Sequence, residues 1–140
     1  MSKNLEKKNI ILGLLSVSKE NAIKAAGEKL LEGGYIKGSY IESMLEREKG
    51  MSTYMGMGVA IPHGLSESQK DIKESGIVIL QYPNGIKFNN DIAYLVIGLA
   101  GKGKDHLEML SNIAINLDDE VIEKLKISKD KQDFIEAFAE

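Results

Sequence analysis

Short β-branched apolar runs, separated by segments of helical periodicity, constrain this chain more than any other feature. Asn9–Leu12, Val59–Ile61, Ile77–Leu80 and Ala93–Ile97 are each strand-length, and the first two are cut off by Gly13 and by Pro62-His63. Between the first two lies an amphipathic segment in which Ala22, Ile23, Ala26, Leu30 and Leu31 recur at helical spacing. Ser18 offers it an N-cap oxygen, and Gly33-Gly34 ends it. A second helix is predicted from about Ser39 to Lys49, with Arg47 and Lys49 in the last turn, where cations suit the helix dipole. Asn84-Gly85 reads as a turn before Ile86-Lys87-Phe88. Three further helices are predicted at Leu107–Leu117, Asp119–Lys126 and from Ser128 or Lys129 to the end. Strands interleaved with helices, plus a hairpin, predict an α+β chain. The expected form is a three-layer α/β/α sandwich around a mixed β-sheet of about four to five strands.

Composition narrows what such a domain does. The 140 residues suit one domain, 1–140, large enough to bury a core without disulfides or metals. There is no cysteine, which removes disulfides, thiolate nucleophiles and cysteine-ligated metals. With 18 Lys and Arg against 21 Asp and Glu, the net charge of −3 argues against a nucleic-acid binder. No apolar run approaches the ~18 residues of a membrane span. The N-terminus mimics a signal peptide, with Lys3, Lys7 and Lys8 ahead of Ile10–Leu15. That apolar run is shorter than the ~7–15 residues expected, and Glu6 interrupts the basic flank, so the segment is read as the first strand of a cytoplasmic protein.

Chemistry-bearing residues are few: two histidines, His63 and His106, and one arginine, Arg47. His63 ends a strand between Pro62, which fixes the incoming φ, and Gly64, which admits a close neighbour. By itself a His-Gly pair reads as a surface or structural histidine. Arg47 by itself reads as a residue that solvates a helix end, and His106 as one that caps or packs.

The surrounding residues change that reading. Met55-Gly56-Met57-Gly58-Val59-Ala60-Ile61-Pro62-His63-Gly64, with Glu48 upstream, resembles the phosphorylation-site signature of bacterial phosphotransferase-system (PTS) IIA components of the mannitol/fructose type. The similarity extends through Lys29–Tyr35, Met44–Lys49, Gln81-Tyr82-Pro83, Leu95–Gly98, His106 and Leu117–Glu120, and these segments lean toward the mannitol branch. The resemblance implies a single type-2 IIA domain acting as a phosphocarrier. His63 would accept a phosphoryl group from the carrier HPr and pass it to a cysteine of a mannitol IIB or IICB component. His106 and Arg47 match accessory positions and would stabilise the phosphoryl oxygens. The family attacks through Nε2, which requires a partner on Nδ1–H. No cofactor, metal or direct membrane insertion is implied. The runners-up are a fructose-specific IIA and a nitrogen-related regulatory relative whose phosphorylation state controls protein partners. One departure is Met57, where mannitol-type proteins often carry an acidic residue. Thr53, Gly56 and Gly58 are read as loop architecture, and Met51, Met55 and Met57 as either an adaptable docking surface or gap-filling.

Two other motifs fail on chemistry. Gly98–Lys104 spells most of a P-loop, but Asp105 stands where Ser or Thr would hold magnesium, and its carboxylate would repel phosphate. His63 and His106 lack ligand-spaced partners and any cysteine to complete a tetrahedral metal site.

Overall fold

A computed structural model describes residues 5–138. Lys3 of the basic N-terminal flank and the expected run of the last helix to residue 140 lie outside the described residues. The strands are β1 (Ile10–Ile11), β2 (Tyr54–Gly56), β3 (Val59–Ala60), β4 (Gly76–Phe88) and β5 (Asp91–Ala100). They form one sheet in the order β1-β4-β5-β3-β2. β1 runs parallel to β4 and β3 parallel to β5, whereas β4–β5 and β2–β3 pair antiparallel. The sheet is therefore mixed, as the interleaving of elements predicts.

Alternation along the central strands builds two cores. On β4, Val78, Leu80 and Tyr82 face one side, where they pack with Ala22, Ala26 and Leu30 of α1 (Lys19–Glu32) and Tyr40 and Met44 of α2 (Ser39–Gly50). Ile77 and Ile79 face the other side with Leu95, Ile97 and Leu99 of β5. That layer is closed by Met109 and Ile113 of α3 (Asp105–Asn116), Ile122 and Leu125 of α4 (Asp119–Ile127) and Phe134 of α5 (Lys131–Ala137). A strand exposes alternate side chains on opposite faces, so two covered faces require both parities to be apolar. These strands satisfy that, and the three-layer arrangement follows.

Local signals set the helix ends. The Ser18 hydroxyl accepts the Asn21 N–H at the start of α1, and Asp118 and Asp130 accept Val121 and Gln132 N–H at the starts of α4 and α5. The last helix therefore begins at Lys131, with Asp130 as its cap, slightly later than the periodicity predicts.

Two expectations need correction. Asn84-Gly85 is not the hairpin turn. β4 runs through it to Phe88, and the β4–β5 register shifts between Gln81 and Ile86, so the pair sits in an irregular stretch of strand. Gly85 takes its positive φ of 79° there, which serves a bulge as well as a turn. The chain reverses instead at Asn89-Asn90, with Asn89 at φ 62°. Second, the glycine-rich stretch before His63 holds an extra strand, β2, which pairs with β3. Its three half-buried residues carry no apolar run to announce it.

Candidate functional site

His63 lies just beyond β3, and backbone and side-chain bonds from two elements, β5 and α2, hold its loop. The Pro62 carbonyl accepts the Leu99 N–H at 3.0 Å, tying the loop to β5. From α2, the Tyr40 hydroxyl accepts the Gly64 N–H at 2.8 Å and the Ser43 hydroxyl accepts the Leu65 N–H at 2.8 Å. Tyr40 in turn donates to the Leu99 carbonyl at 3.4 Å. Gly64 is required by this close approach: a Cβ there would lie 2.5 Å from the Tyr40 ring and 3.0 Å from Ser43 Oγ.

The imidazole itself is oriented. His63 Nδ1 lies 2.7 Å from the Ile61 carbonyl oxygen. A carbonyl only accepts, so Nδ1 carries the proton and Nε2 is left as the unprotonated nitrogen. This is the arrangement that attack through Nε2 requires. Burial holds the His63 pKa below the ordinary histidine value, the Ile61 bond acts upward, His106 and Arg47 act downward, and Glu48 acts upward. The ring is thus neutral near pH 7.

His106 and Arg47 come to the same place from different elements. The His106 ring centroid is 5.1 Å from that of His63, with the planes tilted by 59°. Burial, then the charge of Arg47, lowers the His106 pKa. Arg47, in the last turn of α2, donates from Nη1 to the Met51 carbonyl and lines the same cavity. That cavity, about 320 Å³, is bounded by Tyr40, Arg47, His63, Gly64, Gln69 and His106 among others. Surface clefts of about 370 and 450 Å³ elsewhere contain neither histidine nor arginine. The three residues singled out from the sequence therefore converge in one pocket.

The turn before α3 is no P-loop, in line with its Asp105. Its amides are already occupied: Lys102 N–H is accepted by Ser75 Oγ, Gly103 N–H by Gln69 Oε1, and Asp105 N–H by the Lys102 carbonyl. These amides bind the fold and leave no phosphate cradle at those three residues. Gly98, first in the P-loop look-alike, is a packing position whose Cβ would meet Ala26 at 2.9 Å and Val78 at 2.8 Å. Among the described residues no group of three or more His, Cys, Asp or Glu is placed to hold a metal ion. Of the methionines, Met51 and Met57 are exposed, whereas Met55 packs against the core beside α3–α5.

Sequence reasoning missed Tyr40, Ser43 and Gln69. Tyr40, Ser43 and Arg47 stand at i, i+3 and i+7 on α2, which puts them on one helical face, and that spacing was the available signal. Gln69 lies in the 3₁₀ segment Ser66–Asp71, where it bonds the Gly101 carbonyl as well as Gly103 N–H, joining the His63 loop to the His106 turn.

Comparison with known proteins gives this pocket its context. Residues 3–140 match the model of the family described as "Phosphoenolpyruvate-dependent sugar phosphotransferase system, EIIA 2". The chain belongs to that family. It is 45% identical over 138 residues to the mannitol-specific phosphotransferase enzyme IIA component of Bacillus subtilis, covering 97% of this chain and 96% of that protein. It is 48% identical over 120 residues to the mannitol-specific EIICBA component of Pasteurella multocida, covering 83% of this chain and 19% of the relative. The chain thus spans about a fifth of the EIICBA relatives it matches. The IIA mannitol of Escherichia coli superposes with a TM-score of 0.89 at 38% identity, covering 96% of this chain and 99% of that one. The IIA–phosphorylated IIB mannitol complex of the same organism matches at a TM-score of 0.90 and 37% identity, with 96% of each chain covered.

Proposed function

We propose that this chain, as a single type-2 IIA domain, is the phosphocarrier of a mannitol phosphotransferase system and that His63 carries the phosphoryl group. The observation that carries this reading is the 2.7 Å contact from His63 Nδ1 to the Ile61 carbonyl, which leaves Nε2 as the nucleophile. In the proposed cycle, the Nε2 lone pair attacks phosphorus on the phosphohistidine of HPr. The donor P–N bond breaks, and its electron pair returns to the donor ring. A IIB cysteine thiolate then takes the phosphoryl group from Nε2, and the electrons of that P–N bond return to His63.

Phosphoryl transfer depends mainly on alignment and on charge stabilisation at the equatorial oxygens. Arg47 supplies a permanent cation, and His106 supplies a ring N–H donor across the pocket. The rigid loop built by Tyr40, Ser43 and Leu99 keeps Nε2 aimed during both half-reactions. The mannitol assignment rests on the IIA relative of Bacillus subtilis, and the IIB partner on the Escherichia coli complex. Among the described residues no helix is long and apolar enough to cross a membrane, in keeping with a cytoplasmic carrier that visits a membrane-associated partner.

The test is intact mass after incubation with phosphoenolpyruvate, Enzyme I and HPr. One acid-labile phosphate on the wild type, absent from His63→Ala, is expected; no label, or equal labelling of the variant, overturns the reading. Onward transfer to a mannitol IIB cysteine separates this role from a regulatory one, because both begin with phosphorylation at the same ring.

A further inference from the structure

We propose that Glu48 is a positioning residue for the phosphoryl chemistry of His63, acting through a hydrogen-bonded relay made of Thr53 and Ile61. The inference rests on the reading of His63 as the phosphoryl acceptor. The relay is continuous. Glu48 Oε1 accepts the Thr53 hydroxyl at 2.6 Å, and its two carboxylate oxygens accept the Thr53 N–H at 3.1 and 3.2 Å. The Thr53 carbonyl accepts the Ile61 N–H at 3.0 Å. The Ile61 carbonyl accepts His63 Nδ1–H at 2.7 Å. A buried carboxylate thus anchors Thr53, which anchors Ile61, whose carbonyl holds the proposed nucleophile.

Glu48 anchors the loop from inside the fold. Glu48 is only 6% exposed and Thr53 only 7%, so both groups are removed from water. Among the described residues no lysine or arginine forms an ion pair with Glu48. A glutamine keeps one oxygen to accept the Thr53 hydroxyl, but its amide nitrogen only donates, so one of the two contacts from Thr53 N–H is lost. That placement gives Glu48 a role beyond packing, because the residue it anchors holds in turn the one whose carbonyl accepts His63 Nδ1–H.

The reaction supplies that role. When the Nε2 lone pair bonds to phosphorus, the proton stays on Nδ1 and the ring gains positive character, while the donor ring recovers its own electron pair. Arg47 and His106, which line the cavity with His63, disfavour a cation on that ring. Glu48, linked to the Nδ1 side through Thr53 and Ile61, favours it. The bonds from Glu48 to Thr53 and from Thr53 to Ile61 hold the Ile61 carbonyl where it accepts Nδ1–H, which fixes the ring against rotation. Glu48 also stands in the sequence motif upstream of the histidine.

The experiment compares wild type, Glu48→Gln, Thr53→Val and Thr53→Ser. It uses imidazole NMR titration of unphosphorylated protein and single-turnover phosphorylation by phospho-HPr over a range of donor concentrations. Glu48→Gln is expected to lower the His63 pKa further and to slow the maximal transfer rate about tenfold, leaving the half-saturating donor concentration unchanged. Thr53→Ser keeps the hydroxyl and is expected to behave as wild type, whereas Thr53→Val moves both readouts in the direction of Glu48→Gln. Should Glu48→Gln fail to fold, the Thr53 pair carries the same comparison. An unchanged His63 titration together with a maximal rate within twofold of wild type overturns the relay. Absence of phosphorylation on the wild type instead overturns the reading of His63 itself.

Discussion

The two histidines share a pocket but are held in opposite ways. His63 sits in a loop bonded to α2 at Gly64 and Leu65 and to β5 at Pro62, and its ring is pinned through Nδ1 to Ile61. The backbone before His106 is pinned by Gln69 and Ser75, but among the described residues the His106 ring makes no hydrogen bond and only faces His63. A nucleophile needs one nitrogen bare and aimed before the partner arrives. A stabilising group needs to follow charge as it moves onto the phosphoryl oxygens. On the proposed reading, the ring pinned through Nδ1 suits the first task and the ring without such a bond the second, so the bonds behind each ring divide the same side chain between two roles.

The largest effect that sharpens this contrast is His63→Ala, expected to remove phosphoryl acceptance entirely in the HPr assay while the circular dichroism spectrum is retained. Next come the helpers. His106→Ala should slow single-turnover transfer by about 10²–10³-fold, the range for losing one oriented charge-stabilising donor. Arg47→Ala should slow it less, because one Arg47 nitrogen is already engaged by the Met51 carbonyl. Rates equal to wild type for both would remove them from the mechanism and dissolve the contrast.

Tyr40→Phe tests whether the loop is truly fixed from α2. It strips the acceptor from a buried Gly64 N–H, at an expected cost of about 1–3 kcal/mol read from the urea midpoint. The transfer rate should fall as well, since Gly64 follows His63 directly. The smallest effect is on pH. Both histidines have folded-state pKa values below the ordinary one of about 6.5. The unfolded chain therefore binds more protons than the native one between those values. Their contribution is present above about pH 6.5 and lost as pH falls through the depressed values. A His63→Gln/His106→Gln double variant should show a flatter decline of urea midpoint on acidification; an equally steep decline would place the proton uptake elsewhere.

What was legible in the sequence was whatever periodicity or a contiguous motif writes down. Runs such as Ile77–Leu80 and the stripe Ala22/Ile23/Ala26/Leu30 report burial directly, and the layers followed from them. The motif around His63, with His106 and Arg47, led to three side chains that the fold gathers into one cavity. What stayed hidden was non-local. Asn84-Gly85 supplies the positive φ that both a turn and a bulge demand, and only the pairing of β4 with β5 decides between them. β2 owes its existence to β3 beside it. Tyr40 reads as core because its ring is core; its hydroxyl acquires a purpose only when Gly64 is brought against it.

The central claim is that Nε2 of His63 is the bare nitrogen because Ile61 holds the proton on Nδ1. The most direct measurement is long-range proton–nitrogen NMR of ¹⁵N-labelled protein before and after phosphorylation. The account predicts a neutral His63 with its proton on Nδ1, then phosphate on Nε2 with that proton retained. A proton on Nε2 of the free protein, or phosphate on Nδ1 or on His106, would contradict it.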